Sequence, residues 1–512
     1  MIFRRRILRE ARVFIYQSIC YYSTVETTVR LPNGLAYRQP TGLFISNEFG
    51  ASSDGKQITT YNPRSGEPIT KVFVAGAADV DYAVQSAVSA YNSWRTTSGT
   101  DRGILLFSLS RLIEEYKSLL GSIEALDTGK LMDAVATEDI PDCINVTRYY
   151  AGWADKIHGN TIRPFAEKLA YTLYEPFGVC ALIVPWNYPL MLAIWKMAPA
   201  IAAGNTVVLK TSELTPLSSL YLGHLITKAG FPPGVINILS GDGSTGALLA
   251  SHARVNKISF TGSATTGKKI LQAAANNLVP VVLELGGKSA AIVFEDADLE
   301  QAVKWCYSGV MSNAGQICSA TSRILIHESI YQQFVELFKA YTIQMVKTGS
   351  LAHGPQISAE QREKVMQYVR SGIAEGARLV HGGAEIKTAG YFMQPTIFAD
   401  VRDHMRIFQE EIFGPVVVMD AFATQSEAIQ RANNSTYGLA SAIFTKSLTL
   451  AVDTSQKLDV GTVWVNSSQD SDFRVPFGGF KMSGYGGQEL GEYAVKNYLR
   501  PKAVHLNLGT SL

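Results

Sequence analysis

Gly178-Val-Cys-Ala-Leu-Ile-Val184-Pro-Trp-Asn187-Tyr-Pro189 is a short apolar run that ends between two prolines, and a helix-like stretch follows over residues 190–203. The same beat then repeats. Apolar runs at 206–209, 235–239, 257–260 and 279–283 alternate with helical spacing at 217–229, 244–251 and 265–275. Strand-sized runs alternating with helices of this length are βαβ units, which build a doubly wound parallel α/β sheet. Such a sheet binds nucleotides at the carboxyl ends of its strands. The residues just after each run are therefore the first candidates for a site.

Toward the C-terminus a second alternation runs from about residue 290 to 419, with helices at 300–311 and 330–348 and strands at 322–327 and 416–422. It reads as a second α/β domain beginning near Gly286-Gly287. Toward the N-terminus, residues 79–94 and 102–126 carry apolar side chains at three- and four-residue spacing and read as helices. Residues 168–174 and 503–507 read as strands outside either domain. Detached strands with open edges usually pair with another subunit.

A chain of 512 residues with 46% hydrophobic and 18% charged residues is an ordinary globular protein of two or three domains. No apolar run reaches the ~18 residues of a membrane helix. Five scattered cysteines without a CxxC pair suggest neither a zinc site nor a disulfide framework, and a reducing compartment fits them best. The first 22 residues differ from the rest. Arg4, Arg5, Arg6, Arg9 and Arg12 alternate with apolar residues, and Glu10 is the only acid. This is the composition of a mitochondrial presequence, with the matrix as destination. Without residues 1–22, Lys+Arg falls from 46 to 41 and Asp+Glu from 44 to 43, so the net charge moves from +2 to −2. Nothing basic then remains to favour nucleic acid or an anionic membrane.

Three kinds of motif stand out within this frame. Phe260-Thr-Gly262-Ser263-Ala-Thr-Thr-Gly267 follows a strand and opens a helix, where free N–H groups can hold a phosphate. It also comes within one residue of a P-loop, but Lys269 stands where Ser or Thr should reach magnesium, which argues against a phosphotransferase. Lys210-Thr-Ser-Glu213 closes another strand. A carboxylate there can accept the hydroxyls of an adenosine ribose and would repel a 2′-phosphate, which favours NAD while leaving NADP open. Cys318, in Asn313-Ala-Gly-Gln-Ile-Cys318-Ser, is preceded by small and polar residues, unlike Cys143, Cys180 and Cys306. With Glu284 and Asn187 it supplies a thiol, a carboxylate able to activate water and an amide able to hold an oxyanion.

Together these segments resemble the NAD(P)-dependent aldehyde dehydrogenase superfamily from about residue 43 to 507. Pro185-Trp186-Asn187, Lys210 to Glu213, Phe260-Thr-Gly262-Ser263, Glu284-Leu-Gly-Gly-Lys288, Gly315-Gln-Ile-Cys318, Glu411-Ile-Phe413-Gly-Pro415 and Pro476-Phe-Gly-Gly-Phe480-Lys-Met-Ser-Gly484 occur in the family's order. The tetrameric acetaldehyde- and retinal-type branch is most similar, and residues 472–479 look like its fungal members. Residues 315–323 are also similar to betaine- and aminoaldehyde-type relatives. The resemblance implies that Cys318 attacks the aldehyde carbon, that Asn187 stabilises the oxyanion, and that Glu284 activates water to hydrolyse the thioester left after hydride transfer. It implies cofactor contacts at Val184, Trp186, Lys210, Glu213, Gly262, Ser263, Gly267, Glu411 and Phe413, and no metal. It further implies a cofactor domain (43–155 and 176–286), a catalytic domain (287–484) and an oligomerisation arm (156–175 and 495–508) in a homotetramer.

Two departures qualify the match. Tyr485-Gly-Gly-Gln-Glu489 is one residue longer than the family's spacing, which removes the register on which a proton-relay role for Glu489 would rest. The loop at 467–472, expected at the rim of the substrate tunnel, is polar, while Tyr188 and Trp195 would supply aromatic walls. A small or polar aldehyde such as acetaldehyde is the expected substrate. The rival substrates on the same fold are aminoaldehydes, semialdehydes and acyl transfer to CoA. Glu284 argues against the last, because acylating relatives generally lack the hydrolytic carboxylate. Semialdehydes need a cation for the distal carboxylate, and only Arg474 stands in the expected loop.

Overall fold

The computed structural model describes residues 25–348 and 353–509, so the expected leader at 1–22 lies outside the described residues. Five parallel strands form the centre of an eight-stranded sheet: β1 (Val179–Ile183), β2 (Thr206–Lys210), β3 (Ile236–Leu239), β4 (Lys257–Thr261) and β5 (Val281–Glu284). Alternate residues of β1 enter different cores. Cys180 and Leu182 face one, and Val179, Ala181 and Ile183 face the other. Burial on both faces is why these strands read as unbroken apolar runs. Their order across the sheet is β5-β4-β1-β2-β3, so the winding reverses between β1 and β4.

Outside these five the strands run antiparallel to their neighbours. Leu43–Ile45 pairs with β3, and Gly484–Tyr485 pairs with β5. Segments of three and two residues are too short to show a period in the sequence. A second, seven-stranded sheet contains β6 (Ala290–Val293) and β7 (Arg323–His327) side by side, with parallel pairing except at its outer strand Arg378–His381. The helix expected over 102–126 is two helices, Gly99–Glu115 and Lys117–Thr128. They break at Tyr116, whose ring packs against Tyr221 and lies under Lys228 Nζ, a tertiary contact that helical periodicity does not reveal.

A three-stranded antiparallel sheet is built from Thr161–Phe165, Lys168–Pro176 and Leu499–Asn507. The last two strands pair over nine residues, from Leu499 opposite Pro176 to Asn507 opposite Lys168. Both are longer than the runs at 168–174 and 503–507 foretold.

Candidate active site

Cys318 lies between helix Leu299–Met311 and β7, after a turn whose residues Asn313, Ala314 and Gly315 have φ of 48°, 55° and 73°. A left-handed backbone at consecutive non-glycine residues is costly and must be held from outside. Asn313 Nδ2 donates to the Asn187 carbonyl at 3.1 Å, and Gln316 Nε2 donates to the Asn313 carbonyl at 2.9 Å. Gly315 approaches so closely that a Cβ there would lie 2.0 Å from the Gly414 oxygen. Cys318 is half-buried. Burial, followed by the charges of Glu284 and Glu411, pushes it up to about 12, against the backbone N–H groups of Ser319 and Cys318 that favour the thiolate. The resting group is therefore a neutral thiol with donors already beside its sulfur.

Asn187 follows β1, and its amide is 5% exposed. Its Nδ2 donates one hydrogen bond, to the Gln316 carbonyl at 3.0 Å, which leaves its second N–H for another acceptor. Glu284 ends β5 at 3% exposure, and neither carboxyl oxygen has a partner among the described residues. Burial first, then Glu489, raises its carboxyl well above the usual range, with Lys196 opposing. Gly478 makes room for it, since a Cβ there would lie 2.7 Å from Glu284 Oε1.

Glu489 corrects the expectation drawn from the extra residue before it. It is buried, ion-paired with Lys196 and 3.3 Å from Ser259 Oγ, and its charge acts on Glu284. Two backbone hydrogen bonds of 2.7 Å fasten Glu489 to Phe477. The additional residue is taken up just before, where Gly486 and Gly487 have φ of +81° and +149°. Lys196 itself went unread, although a lone cation within the apolar helix Pro189–Ala202 was a signal that it needed a buried partner.

Beside Cys318, at the reversal between β1 and β4, opens a cavity of about 170 Å³ walled by Trp186, Asn187, Gly262, Ser263, Glu411 and Phe413, among others. Ligands of wound sheets settle at this point. Trp186 and Phe413 meet edge to face at 5.3 Å, and Gln361 Nε2 holds the Phe413 carbonyl at 2.9 Å. Ser263 caps helix Ala264–Ala275 by accepting from the Thr266 N–H at 3.2 Å, which leaves first-turn N–H groups facing the cavity end of the helix. Glu411 Oε1 accepts from the Gly287 N–H at 3.0 Å, and burial raises its carboxyl to about 7. At Gly286 a Cβ would lie 2.3 Å from Glu411 Oε2, so any side chain there would push the Glu411 carboxylate away.

The other expected cofactor residues lie outside these walls. Lys210 and Glu213 stand at the end of β2, paired at 3.6 Å. Val184 is buried after β1, and Gly267 lets the helix close onto Leu285, 2.7 Å from where its Cβ would be. The ring-lined cavity, the glycine passage and the helix N-terminus suit a dinucleotide. The loop at 467–472 does stand by the thiol. Gln469 accepts from Ser319 Oγ at 2.7 Å and donates to the Ser319 carbonyl at 2.8 Å.

Comparison with known proteins identifies the family. The model of the aldehyde dehydrogenase family matches residues 49–504. An aldehyde dehydrogenase of Emericella nidulans is 48% identical over 499 residues, 96% of this chain and 99% of the relative. The aldehyde dehydrogenase (NAD(P)+) 1 of Saccharomyces cerevisiae is 48% identical, covering 95% and 99%. The NAD+ complex of the aldehyde dehydrogenase from Bacillus cereus superposes with a TM-score of 0.89 at 42% identity, covering 92% and 97%.

Proposed function

The chain belongs to the aldehyde dehydrogenase family and oxidises aldehydes with NAD(P), and we propose that Cys318 is its nucleophile, Asn187 its oxyanion donor and Glu284 its general base. The observation that carries this reading is Glu284, buried with both oxygens unpartnered among the described residues and close enough to raise the Cys318 thiol. As the sulfur bonds to the carbonyl carbon, the thiol proton passes through Glu284 to solvent and the carbonyl oxygen gains charge. The free N–H of Asn187 and the N–H of Cys318 meet that charge where water is largely excluded. NAD(P), when bound, supplies the oxidant that turns the thiohemiacetal into a thioester. Glu284 then takes a proton from the water that attacks the thioester, and Cys318 leaves as the acid departs. A carboxylate raised toward neutrality is a better base for this than one at its ordinary value.

Trp186 and Phe413 would flank the nicotinamide, Glu411 its ribose, and the Ser263 helix end the pyrophosphate. Glu213 favours NAD over NADP. The polar loop carrying Gln469 supports small or polar aldehydes. The strands Lys168–Pro176 and Leu499–Asn507 support assembly as a homotetramer through the arm, and the basic leader supports delivery to the mitochondrial matrix. The direct test is NADH formation from acetaldehyde and NAD by protein lacking residues 1–22. Turnover in the parent and none in Cys318→Ala is expected. Equal turnover in the two would overturn the assignment.

A further inference from the structure

The start of the second sheet buries two cations that no carboxylate neutralises among the described residues. Lys288 and Ser289 lead into β6, and Arg323 opens β7, where it stands opposite Ala290. Lys288 is 1% exposed, Arg323 2% and Ser289 3%. With Tyr437, Leu439 and Leu458, among others, they wall a cavity of about 10 Å³. That is roughly the room taken by one water or a monatomic ion.

The polar groups around this cavity are incompletely satisfied. Lys288 Nζ and Ser289 Oγ have no hydrogen-bond partner among the described residues. Arg323 donates from Nε to the Lys288 carbonyl at 2.8 Å, from Nη1 to that of Arg431 at 3.3 Å and from Nη2 to that of Ala432 at 2.9 Å. Every one of these acceptors is neutral, and the guanidinium keeps further N–H groups to donate.

The acids nearby are committed elsewhere. Glu411 accepts from the Gly287 N–H on the cofactor side. Glu410 is held by the Tyr368 hydroxyl at 2.8 Å and by Arg406 at 3.1 Å. Asp403 and Asp420 bind Arg431 at 2.7 and 2.6 Å, and Asp459 binds Lys481 at 3.1 Å. No Asp or Glu stands in the cavity wall. A buried charge is ordinarily paired or given up. Arg323 cannot give its charge up at neutral pH, since burial pushes it down only to about 10. A water could complete the hydrogen bonds but would leave the positive charge uncompensated.

We propose that this cavity is a binding site for a small monovalent anion of chloride size, held by Lys288 Nζ, the Ser289 hydroxyl and the Arg323 guanidinium. Two cations in a pocket of low dielectric offset the ion's lost hydration. Phosphate and sulfate are too large for the space. The anion ties the starts of β6 and β7 to residues 432–441, which close the cavity. Burial, then Arg323, pushes the Lys288 amine down to about 7, against Glu411 and Glu410. Because the anion favours the ammonium form, binding takes up a proton and weakens as pH rises above that value. The site is independent of the roles given to Cys318 and Glu284.

The test is anomalous scattering from crystals of the enzyme grown in tens of millimolar bromide, at pH 6.5 and at pH 9. A bromide peak between Lys288, Ser289 and Arg323 is expected, stronger at the lower pH. In solution, chloride replacing gluconate at constant ionic strength should raise the unfolding midpoint by about 1 °C per tenfold increase beyond half-saturation. Lys288→Met should abolish both effects. Ser289→Ala keeps both cations and should bind about tenfold more weakly, which tests the site even if Lys288→Met does not fold. Water alone in the cavity would overturn the proposal. So would a peak that needs molar bromide, which marks an adventitious ion only, or a chloride response equal in the parent and both variants.

Discussion

Burial raises both groups proposed to react, the Cys318 thiol and the Glu284 carboxyl, above their ordinary values, and this gives each a measurable signature. The thiolate is the alkylating species, and a thiol raised to about 12 is far from half ionised at neutral pH. Iodoacetamide should therefore inactivate the cofactor-free enzyme about tenfold faster for each pH unit up to about 10, whereas a free thiol levels off near 8.5. Glu284→Gln keeps the shape but removes the base. A burst of NADH close to one equivalent per site is expected, followed by turnover at least about a hundredfold slower than the parent. Gly286→Ala would drive a Cβ into Glu411. Its expected effect is about tenfold or more in the KM for NAD, with acylation of Cys318 little changed once the cofactor saturates.

The turn before Cys318 shows the element scale most clearly, since its left-handed residues are held by Asn187, Gln316, Gln356 on the Ala314 carbonyl and the close approach of Gly414. Gly315→Ala adds strain at φ 73° and a contact with backbone, so a loss of about 2 kcal/mol or more in denaturant unfolding is expected, together with lost thiol reactivity. The pairing of Lys196 with Glu489 joins the helix after β1 to the segment that follows the sheet's edge strand. Lys196→Met leaves two buried carboxyls facing each other without a cation. It should cost about 3 kcal/mol, most of it restored by adding Glu489→Gln. The parallel strands and the helices between them were legible because each carries its own periodicity. Glu489 was not legible, because its position depends on how two glycines fold an extra residue out of register.

At the scale of the whole molecule, the three-stranded sheet leaves Ile162, Phe165, Leu173 and Leu506 exposed on strands that, among the described residues, pair only with one another. Removing residues 499–512 deletes one full strand of that sheet. Sedimentation is expected to show a smaller assembly than that of the full chain, with the cofactor cleft still able to bind NAD. The sequence by itself determined the wound α/β architecture, the order of the motifs, and the thiol, amide and carboxylate, because each is written in a contiguous segment whose chemistry is local. The tertiary structure alone decided what stands between those segments. Glu284 gained Glu489 and Lys196 as neighbours, and Asp142 gained the Trp195 indole as a hydrogen-bond partner. Helical spacing shows that Lys196 lies within an apolar helix. Only packing shows what that helix meets, and whether a carboxylate is already there to neutralise the charge.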